Sequence, residues 1–175
     1  MVNIQTGDVL LCAYNDTLFS KLIAWRNRFY NKSPYSHAAI IISEEDELGM
    51  VKVAEALGKG FVISDYELWW LENQFKIGRI GLYRPNQPLK NIYENAKKYE
   101  GTGYGWLAIF YIGLSLIDKD APLISDGAKH LICSEAVARI LYDSSKSIDF
   151  EKEFGKPFDF ITPDDLSKSK FLEEQ

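Results

Sequence analysis

Basic clusters, long hydrophobic runs and metal-ligand spacings are all missing from this 175-residue chain. Its net charge is −5 and its isoelectric point lies near 5.1, which argues against a nucleic-acid partner held through its phosphates. The longest apolar run, Trp106 to Ile117, has 12 residues where a spanning helix needs about 20, so no membrane span is expected. Met1 to Asp8 shows no basic segment followed by an apolar one, so no export signal is expected either. The two cysteines are then expected as free thiols of a cytoplasmic protein rather than as a disulfide. Neither they nor the two histidines stand at the spacing of a metal site, and Gly101-Thr102-Gly103-Tyr104-Gly105 lacks the lysine of a phosphate loop. No metal and no cofactor are expected. Repeats and low-complexity linkers are also missing.

What is there is a globular composition. Hydrophobic residues make up 46% of the chain, and a chain of this length buries about 70% of its unfolded surface, so residues 1–175 are read as a single domain. Gly7 to Tyr14 is a short apolar run after a turn-prone pair and reads as a buried strand. Asn15 and Asp16 can cap a helix over 17–30, where apolar residues recur every three or four positions. Ser36 to Ile42 and Val51 to Leu57 read as two strands around an acidic turn. Phe61-Val62-Ile63 and Lys76 to Arg84 read as two more, and residues 65–73 stay ambiguous between states. Helices are expected over 89–99, 106–117 and from Cys133 onward. A last one starts at Thr162-Pro163, with Thr as cap and Pro at the first position. The sum is α+β, a small antiparallel sheet packed with helices.

Cys133 opens the stretch Cys133 to Tyr142, and a thiol at a helix start lies beside unpaired N–H groups and the positive end of the macrodipole. That effect is worth about 0.3–1 kcal/mol, while one pKa unit requires about 1.4 kcal/mol, so the helix alone is a weak activator. An imidazolium supplies the larger effect. His37, at the head of an apolar strand, is the candidate. Glu55 is the only acid in Val53 to Leu57, and a lone carboxylate there needs a partner. If the two strands form a hairpin with an even register sum, His37 and Glu55 share a face; an odd sum separates them. Cys133 as nucleophile, His37 as base and acid, and Glu55 as orienting group then make a triad, with the Cys133 N–H facing the oxyanion. The plain alternatives are a core cysteine, a satisfied histidine at a strand end and a glutamate in water. Glu135 would oppose the thiolate if it pointed the same way. His130 is read as a surface residue and Cys12 as core.

Gly7-Asp8-Val9-Leu10-Leu11, Ser36-His37-Ala38-Ala39-Ile40, Glu55-Ala56, Cys133-Ser134-Glu135 and Thr162-Pro163-Asp164-Asp165-Leu166 follow one another in an order that resembles the permuted papain-like amidases of the YaeF/YiiX type, within the NlpC-like superfamily of cysteine hydrolases. The resemblance spans about residues 5–168. It implies a circularly permuted papain-like (NlpC-like) fold, with the histidine strand ahead of the cysteine helix, and it implies catalytic roles for Cys133, His37 and Glu55. After Tyr104, where relatives often carry an acid, this chain has Gly105-Trp106. Tyr104 and Trp106 are expected as substrate contacts. The expected reaction is cleavage of an amide or peptide bond through a Cys133 acyl-enzyme, on a small peptide, an amino-acid amide or an acyl substrate. Rival readings are a lipid-directed thiol acyltransferase or esterase and a non-catalytic binding module on the same fold.

Overall fold

The computed structural model describes residues 3–14, 33–43, 50–114, 125 and 127–175. Their elements run β1 (Val9–Tyr14), β2 (His37–Ser43), β3 (Lys52–Leu57), β4 (Gly60–Asp65), α1 (Tyr66–Asn73), β5 (Ile77–Pro85), α2 (Ile92–Lys97), β6 (Gly103–Tyr104), α3 (Trp106–Leu114), β7 (His130–Leu131), α4 (Cys133–Ser144), α5 (Phe150–Phe154), a 3₁₀ turn (Phe158–Phe160), α6 (Pro163–Lys168) and β8 (Leu172–Glu174). Six strands form one antiparallel sheet in the order β4-β3-β2-β1-β5-β8, while β6 and β7 make a short parallel pair. The chain is α+β.

The central strands explain their own sequences. An antiparallel sheet with one wet face alternates apolar and polar residues, yet β1 and β2 are almost continuously apolar. Both faces are covered. On one, Val9, Leu11, Ala38, Ile40, Ile42 and Ala54 meet Ala136, Val137, Ile140 and Leu141 of α4. On the other, Leu10, Cys12, Ala39, Ile41 and Val53 pack with Trp69 of α1. The ambiguous segment thus resolves into a helix that buries one large ring, Trp69, stacked on Tyr66.

Several boundaries differ from the sequence expectation. Phe61–Ile63 grows into the six-residue β4, because every residue from Lys52 to Leu57 finds a partner in it. The helix expected over 89–99 covers only Ile92–Lys97, after Asn91 takes a left-handed conformation at φ 54°. The helix expected over 17–30 lies outside the described residues, as does the end of the one expected over 106–117. Among the described residues no helix is long and apolar enough to cross a membrane.

Candidate active site

His37 is the first residue of β2 and is buried. The pairs Ile40↔Ala54 and Ile41↔Val53 have even register sums, so Glu55 lies diagonal to His37 on one face of the sheet. Glu55 is 3% exposed and its Oε2 is 2.6 Å from His37 Nε2. Its strand is not an edge, since β4 covers it with Val62 opposite Glu55. A carboxylate in that position is held by the imidazole rather than by water. With Nε2 engaged, Nδ1 is the ring nitrogen left for the thiol.

Cys133 begins α4, whose N-cap Ile132 offers no side-chain acceptor. Glu135 takes over: its Oε2 accepts from the Ile132 N–H at 3.3 Å, and its Oε1 accepts from Arg139 Nε at 2.7 Å. Arg139 continues to Asp159 at 2.9 Å, so the Glu135 charge is committed to this network. Burial pushes the Glu135 carboxyl up to about 7, against the pull of Arg139. The Cys133 thiol is hydrogen-bonded to His37 and to the backbone N–H groups of Ala38 and Ser134. Burial pushes this thiol up, but the charge on His37, the imidazole hydrogen bond and the two amides together leave it below its ordinary value. His37 moves the other way. Burial lowers it, but Cys133 and Glu55 outweigh that and raise it to about 10. Both shifts favour placing the proton on the imidazole, as a thiolate beside an imidazolium.

Two remote segments hold these elements together. Ser134 Oγ donates to the Ile161 carbonyl at 2.6 Å, tying the start of α4 to the residue before Thr162. Two residues further, Asp164 accepts from the Ser33 N–H at 2.6 Å, on the approach to β2. The Thr162-Pro163-Asp164-Asp165 motif thus joins the cysteine helix to the histidine strand. Its own fold is set by a capping box, with Asp165 Oδ2 accepting from the Thr162 N–H at 2.7 Å.

Comparison with protein-family models, curated proteins and solved structures gave no match. The site is therefore read from its geometry.

Tyr104 pairs with Leu131, two residues before Cys133, and burial together with the Cys133 charge raises its phenol, which keeps a neutral hydroxyl near the thiolate. Trp106 packs edge-on to Tyr104 at 4.9 Å and is 61% exposed. Of the other aromatic side chains in this part of the sequence, Trp69 is core, whereas Phe75 is 92% exposed. His130 lies in β7 and is exposed. Cys12 is directly opposite His37 in the β1–β2 register, and burial, followed by the Glu55 charge, raises its thiol far above the ordinary range. It is a protonated core residue. Among the described residues no group of three His, Cys, Asp or Glu side chains could hold a metal ion. Sequence reasoning missed the parts played by Ser134 and Asp164 in joining the segments. Only Asp164 carried a signal, as an acid after a helix-starting Thr-Pro.

Proposed function

We propose that this chain is a cysteine hydrolase that cleaves an amide or peptide bond through an acyl-enzyme on Cys133, with a circularly permuted papain-like arrangement of its parts. One observation carries the reading: a buried thiol and imidazole adjoin and shift each other toward their charged forms, and a buried carboxylate engages the far nitrogen of the ring. A structural cysteine has no need of such a partner and is inert when buried. The chain order also fits, with the histidine strand and Glu55 ahead of the cysteine helix.

In the proposed reaction the Cys133 sulfur attacks the substrate carbonyl carbon, a C–S bond forms, and the carbonyl electrons move to oxygen. The N–H groups at the start of α4 are the available donors for that oxyanion. His37 gives its proton to the departing amine as the C–N bond breaks. It then takes a proton from water, which attacks the thioester and releases the acid and the free thiolate. Glu55 keeps the ring oriented and stabilises its cation throughout. Tyr104 and Trp106 flank the acyl or leaving group, and the substrate class is a small peptide, an amino-acid amide or an acyl compound. The exposed side chains of Trp106 and Leu107 favour one second reading, transfer of a lipid acyl group.

Iodoacetamide labelling of Cys133 against pH tests the hydrolase. The parent should label rapidly below pH 7, and His37→Ala should lose that labelling, by about tenfold for each unit its thiol rises. Labelling that starts only around pH 8–9 in both proteins overturns the reading and leaves a binding module. Acyl transfer measured on phospholipid vesicles separates the second reading.

A further inference from the structure

Tyr14 ends β1, and the pairing of β1 with β5 shifts register between Ala13 and Tyr14. The extra residue, Gly78, belongs to β5, so β1 keeps its alternation as far as Tyr14. Cys12 is opposite His37, so Tyr14 comes next along the strand on the same face, diagonal to the histidine. Its ring meets the His37 imidazole at 5.5 Å between centroids and 72° between planes. The hydroxyl at the far end donates to Asn73 Oδ1 at 2.9 Å. Asn73 is itself fixed, because its Nδ2 donates to the Trp69 carbonyl at 2.8 Å, which leaves only Oδ1 for the tyrosine. Trp69 is 2% exposed and stacked on Tyr66, so the chain of contacts ends in packed core.

We propose that Tyr14, held by Asn73 at the end of α1, is a positioning residue for His37 that restricts rotation of the imidazole and keeps water from its bond to Glu55. This rests on His37 being the catalytic base. The groups that face the imidazole are Glu55 from β3, Cys133 from α4 and Cys12 with Tyr14 from β1. A ring held between Glu55 and Cys133 needs both nitrogens aimed at once, and a turn about its Cβ–Cγ bond breaks both contacts. The Tyr14 ring, packed edge-on to the imidazole, adds a third restraint on that turn. Water let in beside the Glu55 contact also raises the local dielectric and weakens both charge interactions.

The test is an NMR titration of His37, simplified because the chain has only two histidines, run beside iodoacetamide labelling of Cys133. Tyr14→Ala should move the His37 titration down toward the ordinary imidazole value by about one unit and slow labelling at pH 6.5 about tenfold. Tyr14→Phe and Asn73→Ala, which remove only the anchor, should shift it the same way by roughly half a unit. The double variant should shift no further than either alone, because the two changes break one bond. Natively folded Tyr14→Ala and Tyr14→Phe whose His37 titration matches the parent overturn the proposal; if Tyr14→Ala fails to fold, Tyr14→Phe and Asn73→Ala decide it. A parent that labels only above pH 8 defeats the hydrolase reading instead, while the His37 titrations still decide the role of Tyr14.

Discussion

Cys133 and His37 move in opposite directions from their ordinary values, so they act on stability in different pH windows. His37 rises from 6.5 to about 10, so its contribution is complete below 6.5 and is lost as pH rises through 10. Cys133 falls from 9.0, so its contribution is complete above 9.0 and is lost as pH drops through its lowered value. Above the lowered Cys133 value, and between 6.5 and 9.0, the two slopes cancel, because the folded pair and the unfolded pair hold the same number of protons. Thermal melts should therefore show a flat melting temperature over that window and a fall between pH 9 and 10, which His37→Ala abolishes. A steady decline from pH 7 in the parent would show that the thiol keeps its proton. Glu55 is tested by two substitutions. Glu55→Gln keeps an acceptor and loses the charge, whereas Glu55→Ala leaves the imidazole facing a void. Labelling at pH 6.5 should drop in both and further in the alanine variant, by about tenfold for each unit the thiol rises. Equal rates in parent and both variants would remove Glu55 from the site.

At the scale of elements, the pieces of the site meet where strands and loops come unusually close. Gly60 has φ +112°, and a Cβ there would lie 2.7 Å from the Thr102 carbonyl oxygen. That closeness lets Phe61 N–H donate to Thr102 at 2.8 Å and seats β6, with Tyr104, beside β4. Gly60→Ala should cost about 1–3 kcal/mol in denaturant unfolding, since both the conformation and the space are wrong for a side chain. A loss below about 0.5 kcal/mol would mean that β6 is not held there. Asp164 makes a different join. Removing its carboxylate in Asp164→Ala frees the Ser33 N–H and the Lys168 ammonium, the latter 2.9 Å away. The expected cost is about 1–3 kcal/mol, as for a buried donor left without an acceptor. Thr162→Ala removes the cap of α6 and should cost about 1 kcal/mol. If Asp164→Ala slows Cys133 labelling more than Thr162→Ala does, the link to the approach to His37 matters beyond stability.

Over the whole molecule, the two faces of the sheet divide the work. The α4 face carries the larger core, with Cys133 at the start of its helix, and the α1 face carries Trp69, Val53 and the side chains that share a surface with His37 and Glu55. Trp69→Ala should cost about 3–5 kcal/mol by calorimetry, the range for emptying a large buried ring site. Because Trp69 also supports Asn73 through its carbonyl, a backbone group, that support should survive the substitution if the helix does. Much of this architecture is legible locally. The apolar runs of β1 and β2, the Thr-Pro start of α6 and the helix that opens at Cys133 each follow from neighbours in the chain. Residues 65–73 resisted such reading because only Trp69 of the helix is buried, which leaves little periodicity. The β6–β7 pair resisted it because two-residue strands are defined only by each other.

By itself the sequence determined which groups had chemistry to offer: one thiol at a helix start, one histidine at a strand head and one acid in an apolar run. These follow from local periodicity and composition, which act over a few residues. Whether they meet depended on contacts between residues far apart in the chain. The even register of β2 with β3 turned Glu55 toward His37, and the packing of α4 against the sheet brought Cys133 to the imidazole. The partner charges and hydrogen bonds then set the sign of both pKa shifts, against the pull of burial on each group. Only the tertiary structure decided that, since the closeness of three groups from distant parts of the chain is a property of the packed molecule and of no segment within it.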